Sequence, residues 1–61
     1  MSMVRVAADG PLYRVVEDTG LPATVGRKDA DDGGFRDVLD AEHLAATINE
    51  RRTRRAHERA G

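Results

Sequence analysis

Apolar and polar side chains alternate in the first part of the chain, as they do in strands with one buried face. The first alternating run covers Met3–Ala7 (MVRVA) and places Val4 and Val6 on one face. The second covers Leu12–Glu17 (LYRVVE), which is rich in residues that favour strands. Between them lies Asp9-Gly10-Pro11, a turn signal because Gly accepts positive φ and Pro cannot continue a ladder. This pattern predicts two short strands separated by a turn.

The middle of the chain has a weaker pattern. A hairpin loop is predicted at Asp18-Thr19-Gly20, with Gly20 in the left-handed conformation. A returning strand follows over Leu21–Gly26, and Pro22 marks it as an edge strand or delays its start. No apolar periodicity is present in Arg27–Gly34 (RKDADDGG), which we expect to be a flexible acidic loop. One more strand is predicted over Phe35–Leu39, with its two end residues on the same side.

A helix is predicted after this strand, with Asp40 as its N-cap and Glu42 near the positive end of its dipole. Its apolar positions form one stripe, made of Ala41, Leu44, Ala45 and Ile48. We expect the stripe to cover one face of the sheet, against Val4, Val6, Tyr13, Val15, Val25, Phe35 and Leu39. The predicted fold class is α+β: a small antiparallel sheet of two to four strands packed on one C-terminal helix.

The apolar stripe stops at Ile48, although helix-forming residues continue to Ala60. We therefore predict a sheet-plus-helix domain over residues 1–49 and an arginine-rich helical extension or tail over residues 50–61. A helix that reaches Ala60 is roughly 30 Å long, and its second half has no core to rest on. The extension carries five arginines, which are Arg51, Arg52, Arg54, Arg55 and Arg59.

The size and charge of this chain indicate that it functions by binding. Sixty-one residues without cysteine make one small domain, whose core rarely supplies more than about 3–5 kcal/mol. A protein partner or a second copy is a source of further stability. Residues 1–40 carry five basic and eight acidic side chains, whereas residues 41–61 carry five arginines and three glutamates. Only the C-terminal segment therefore favours an anionic surface, either phosphates or an acidic protein groove. The alternative is a solvated, frayed tail.

Little in the sequence predicts catalysis, a cofactor, a metal or a small-molecule ligand. Asp29, Asp31 and Asp32 lack the closing Glu of a calcium loop, so a solvated loop is the expected role of this segment. His43 and His57 lie fourteen residues apart, with no cysteine to complete a zinc site. The hydroxyl residues have no recognisable nucleophile context. We expect a protein that is not an enzyme and needs no cofactor.

The stretch from Tyr13 to Asn49, with YRVVEDTG, a hairpin and DAEHLAATIN, resembles small strand-hairpin-helix proteins of unassigned role from phages and actinobacteria. A looser likeness joins GGFRDVLDAE to the arm-type DNA-binding domain of tyrosine recombinases, which implies a DNA-facing sheet surface of Arg14, Arg27, Lys28 and Arg36. The carboxylates on the same strands and loops disfavour that role.

No signal-like or membrane-spanning segment is predicted, so the expected location is cytoplasmic or virion-associated. The function we expect is docking on a larger assembly or host protein, through the sheet edge and the arginine-rich helix. The partner-binding residues are then the five arginines of the extension. Two alternatives stay open, which are nucleic-acid binding by the basic helix on phosphates and self-assembly into a structural protein.

Overall fold

The protein has the α+β architecture that its sequence predicts. A computed structural model describes residues 3–60, apart from the side chains of Arg59 and Ala60. The elements, in chain order, are β1 (Val4–Asp9), β2 (Leu12–Glu17), β3 (Thr24–Val25), β4 (Lys28–Asp29) and α1 (Val38–Ala60). β1 and β2 form one antiparallel sheet, and β3 and β4 form a second. One helix, α1, follows them in the chain.

The two strands predicted from alternation are confirmed as β1 and β2, and they pair as a hairpin. Val6 lies opposite Val15, and the turn at Gly10 has a φ of 59°. Because side chains alternate along each strand, one face of this sheet points to α1 and the other away from it. The residues on the helix face are Val4, Val6, Ala8, Tyr13, Val15 and Glu17.

The strand predicted over Leu21–Gly26 is confirmed only in part. Gly20 has the expected left-handed conformation and a strand is present at Thr24–Val25, but pairing with β2 is short. Leu21 accepts a hydrogen bond from the Glu17 N–H and Ala23 donates one to the Val15 carbonyl, so this segment pairs with β2 only briefly. Pro22 lies between Leu21 and Ala23, where its nitrogen faces away from β2, and the chain leaves this sheet after Ala23. Its next two residues are β3, which pairs with β4 and not with β2.

The strand predicted over Phe35–Leu39 and the N-cap predicted at Asp40 are also wrong. Phe35 makes a single bridge to Tyr13, and the helix begins at Val38. Asp37 is the N-cap, because its Oδ1 accepts the N–H of Leu39 at 2.9 Å. Two aspartates three positions apart can each cap a helix, and Asp40 instead occupies the first turn. Leu39 consequently points outward and is 67% exposed.

The core lies between the helix face of the β1–β2 sheet and the first half of α1. The stripe predicted on the helix is confirmed there, since Ala41 and Ala45 are buried and Leu44 and Ile48 pack against them. Alanine at these positions lets the helix approach Val4 and Val15 closely. The remaining members of the core are Val6, Tyr13, Ala23, Ala30 and Phe35. Val25, which was expected to join them, is 68% exposed.

Candidate binding groove

An open groove separates the β3–β4 hairpin from the second half of α1. Its volume is about 310 Å³. We call it the arginine groove, because three of the five arginines in the predicted extension line it. The residues that line it are Thr24, Val25, Gly26, Ile48, Arg51, Arg52 and Arg55.

The helical wall of this groove is fixed by Asn49. Its side-chain amide binds the end of β1 twice: Oδ1 accepts the Val4 N–H at 2.8 Å, and Nδ2 donates to the Val4 carbonyl at 3.1 Å. These are backbone groups that β2 does not use. The amide therefore sets where the helix crosses the sheet, and with it the position of the next turn.

Arg52 fixes the same wall from one turn further along. Its guanidinium donates two parallel hydrogen bonds to the Glu17 carboxylate, at 2.7 and 2.8 Å. Hydrogen bonding and charge from Arg52 hold the pKa of Glu17 below its ordinary value, although partial burial opposes this. Arg52 therefore lies against its own domain and ties the start of the extension to β2.

The other wall, the β3–β4 hairpin, is held by a buried carboxylate. Between Phe35 and Ala23 no backbone reaches the outer edge of β2, and the side chain of Asp31 fills this gap. Its Oδ2 accepts the Val15 N–H at 2.9 Å, and its Oδ1 accepts the Gly33 N–H at 3.2 Å. Asp31 is only 3% exposed. The segment expected to be a flexible acidic loop is thus anchored to the sheet, and that prediction is wrong.

Arg14 completes this anchor. Its Nε donates to Asp31 and its second guanidinium nitrogen to Asp29, both at 2.9 Å. Burial alone raises the pKa of Asp31. The hydrogen bonds from Arg14 and Val15, with the nearby positive charge, outweigh that effect and leave the pKa below its ordinary value. The carboxylate is therefore ionised at neutral pH and holds the hairpin in place.

Two guanidinium groups of the groove are not used by the fold. Arg51 and Arg55 are exposed, and neither forms an ion pair with a carboxylate of the described residues. They lie four positions apart, on the same side of the helix. Across from them is the exposed side chain of Val25. The open part of the groove thus combines two cations with an apolar surface.

The remaining arginines of the extension are placed differently. Arg54 lies outside the groove lining and pairs with Glu50 at 2.8 Å, where both side chains are about two-thirds exposed. The side chain of Arg59 lies outside the described part of the structure. Of the five predicted partner-binding arginines, the fold therefore brings together Arg51, Arg52 and Arg55.

Sequence reasoning missed the contribution of the hairpin to this groove. Valine is a residue type typical of a core, and no local pattern in the sequence indicates that Val25 is exposed.

Both histidines, His43 and His57, are exposed. Among the described residues, no group of three His, Asp or Glu side chains could hold a metal ion. The described helix is not apolar enough along its length to cross a membrane.

Comparison with known protein families, with curated proteins and with solved structures finds no match to this chain. The chemistry of the groove is therefore the basis on which a function can be proposed.

Proposed function

We propose that this chain is a small, non-catalytic binding protein that docks on a larger macromolecular assembly or host protein. The surface we assign to docking is the arginine groove, extended along the exposed helix. Its proposed occupant is an acidic protein segment that carries an apolar side chain. One observation carries the proposal: Arg51 and Arg55 lack an ion-pair partner within the described chain and face the exposed Val25.

The two parts of the groove favour such a segment for separate reasons. A guanidinium binds a carboxylate through two parallel hydrogen bonds, which are among the stronger ones in proteins. Full burial of a valine side chain contributes about 1.5–3 kcal/mol, so a partner that covers Val25 gains part of that amount. The helix and the anchored hairpin hold both walls before binding, which lowers the entropy lost in the complex.

Charge elsewhere on the molecule favours an acidic protein over a nucleic acid. Asp18 is exposed and lies near enough to Arg52 to help raise its pKa, while Glu50 and Glu58 are exposed on the helix. A long polyanion that follows the helix meets these carboxylates, whereas a short acidic segment fits between them. The expected setting of such a complex is cytoplasmic or virion-associated.

A nucleic acid is the second candidate, because arginines one turn apart also suit phosphates. The fold changes what this alternative predicts. Arg52 is paired with Glu17 and Arg54 with Glu50, so Arg51 and Arg55 remain, among the described side chains, for phosphates. Two neutralised phosphates of a single strand give a slope of log affinity against log salt of about −1.4.

Fluorescence anisotropy with defined probes tests the proposal. The first probe is a labelled peptide with four glutamates around one leucine. The second is the same peptide with glutamines, and the third is a single-stranded oligonucleotide with four phosphates. We expect the glutamate peptide to bind most tightly. Equal binding of the glutamine peptide contradicts a role for the arginines, and tighter binding of the oligonucleotide with the slope above supports the second candidate instead.

Matched variants locate the binding surface. The double substitution of Arg51→Ala with Arg55→Ala is expected to weaken binding of the glutamate peptide about tenfold or more, since two charge-assisted contacts of about 1 kcal/mol or more are lost. Arg54→Ala also removes one helix cation but lies outside the groove, so its expected loss is below twofold. Thermal unfolding of both variants should match the parent chain. An equal loss in Arg54→Ala assigns binding to net charge and overturns the groove.

A further inference from the structure

The strand β1 has one edge that the fold leaves open. Along an antiparallel pair, residues alternate between those whose N–H and C=O groups face the partner strand and those whose groups face away. Tyr13, Val15 and Glu17 direct theirs to the outer edge of β2. Their opposite residues on β1 therefore direct theirs to the outer edge of β1, and these are Val4, Val6 and Ala8.

Only part of this edge is available. The N–H and C=O of Val4 are bound by the Asn49 amide, so the edge is closed at that end. For Val6 and Ala8, no residue of the described chain takes up the outward backbone groups. The outer edge of β2, by contrast, is covered by Leu21, Ala23 and Phe35, and by the carboxylate of Asp31.

We propose that this open edge pairs with the same edge of a second copy of the chain. The two β1 strands run antiparallel about a twofold axis at Ala7. Val6 of each copy then lies opposite Ala8 of the other, and their N–H and C=O groups form four hydrogen bonds. The result is a continuous four-stranded sheet in the order β2, β1, β1 and β2. An unpaired edge is a ready template for such pairing, and a twofold interface is self-complementary.

Charge complementarity favours a second copy of the chain as the partner, and it favours the register in which Ala7 lies opposite Ala7. With Ala7 opposite Ala7, Arg5 of each copy lies opposite Asp9 of the other, and the dimer contains two such pairs. Oppositely charged residues that face each other across an antiparallel pair stabilise it. Shifting the register by two residues in one direction places Val4, whose backbone groups are bound by Asn49, opposite Ala8. Shifting it by two residues in the other direction places Arg5 opposite Pro11 and loses both charge pairs.

Within one chain, Arg5 and Asp9 cannot satisfy each other. They lie four residues apart on the same face of a strand, which is a distance of about 13 Å. Neither forms an ion pair with another described residue. Their spacing about Ala7 is what makes the strand complementary to itself. The contact is small, because Val6, Ala7 and Ala8 have short side chains, so we expect a dimer that dissociates on dilution.

A charge-swap experiment tests this pairing in the full chain. Sedimentation equilibrium over a range of concentrations is run on the parent, on Arg5→Glu and on Asp9→Arg. Each variant places like charges opposite each other twice, so we expect its dimer constant to weaken about tenfold or more relative to the parent. An equimolar mixture of the two variants restores both attractive pairs, and we expect it to form a heterodimer with near-parental affinity.

The mixture separates this proposal from every other dimer. A parent chain that stays monomeric to millimolar concentration overturns it. So does a parental dimer that both variants retain, or a mixture that associates no better than either variant alone. Because general loss of folding cannot produce recovery on mixing, restored affinity supports the β1 register specifically.

A backbone variant gives an independent check. Ala8→Pro removes an outward N–H that the β1–β2 ladder does not use, and edge strands accept proline at such positions. We expect unchanged far-ultraviolet circular dichroism with loss of the dimer, whereas Ala8→Ser keeps the N–H and should keep the dimer. The arginine groove is not involved, so the double substitution of Arg51→Ala with Arg55→Ala should dimerise like the parent. Dimerisation lost in that double variant, or retained in Ala8→Pro, contradicts the proposal.

Discussion

The two charged segments of this protein, residues 27–34 and residues 50–58, differ in how they are attached to the rest of the fold. Both lack the large apolar residues that usually hold a segment to a core. The first is anchored, because Asp31 meets a backbone N–H of β2 that no strand reaches. The second is anchored only at Arg52, and every described side chain from Thr53 to Glu58 is exposed. A charged segment is therefore held to the fold where one of its side chains can form a hydrogen bond with a buried polar group that has no backbone partner.

The ion pairs of the two regions show the same contrast. Arg14 and Asp31 have side chains that are 19% and 0% exposed, whereas Arg54 and Glu50 are 67% and 69% exposed. An exposed pair of this spacing contributes about 0.3–0.5 kcal/mol. Removing one partner of a buried pair costs about 3–5 kcal/mol, because the other charge and its hydrogen bonds are left unsatisfied. The burial of each ion pair, rather than its chemical type, therefore determines how much it contributes to stability.

The largest effect is expected from Asp31→Ala. It removes the acceptor for the N–H groups of Val15 and Gly33 and for the Arg14 guanidinium. We expect a loss of about 3 kcal/mol in the free energy of unfolding, most of what a chain of this size has. Urea unfolding followed by circular dichroism measures it, and Asp32→Asn, at an exposed neighbour, should change it by less than about 0.5 kcal/mol. Similar losses in the two variants contradict the anchor.

Acid should weaken the same anchor reversibly. The folded-state pKa values of Asp31 and Glu17 both lie below their ordinary values, so each ionised carboxylate stabilises the fold. This stabilisation is complete above the unfolded pKa of about 4 and is lost as pH falls through the folded values. Urea midpoints measured from pH 7 to pH 2.5 should fall below pH 4. They should fall less in Asp31→Ala, and parallel curves for the two proteins disprove the linkage.

A smaller difference is expected between neighbouring arginines of the helix. Arg52→Ala breaks a half-buried bidentate pair with Glu17 and should lower the free energy of unfolding by about 1 kcal/mol. Arg51→Ala removes the same side chain one position earlier, where no carboxylate of the described chain is paired with it, and should change stability by less than about 0.5 kcal/mol. Thermal unfolding of the two variants side by side measures the difference. Equal losses place Arg51 in the fold and remove it from the proposed docking surface.

Much of the fold was predictable from local patterns. The two strands β1 and β2, the turn at Gly10 and the helical stripe from Ala41 to Ile48 are confirmed, because alternation and helical spacing indicate directly which side chains can share a face. The strand predicted at Phe35–Leu39 was wrong because the sequence offers two aspartates that can cap the helix. The hydrogen bond from the Leu39 N–H to Asp37 shows that the helix begins after the earlier one, which leaves Phe35 only a single bridge to Tyr13.

The candidate site was less predictable. The arginine cluster was visible in the sequence, but the burial of Asp31 and the exposure of Val25 were not. An aspartate followed by glycines is typical of a solvated loop, and a valine in a short strand is typical of a core. Asp31 is buried because it accepts the Val15 N–H at a gap in the edge of β2, and Val25 is exposed because its strand pairs with β4 away from the β1–β2 sheet.

The sequence by itself determined the elements with strong periodicity, the end of the apolar stripe at Ile48 and the concentration of arginine after it. These depend on spacing along one chain. The tertiary structure decided which charges face inward: Arg14, Asp31, Glu17 and Arg52 are used by the fold, whereas Arg51 and Arg55 are not. That choice depends on which backbone and side-chain groups meet across sequence separations of fifteen to thirty-five residues, and no local pattern records such a meeting.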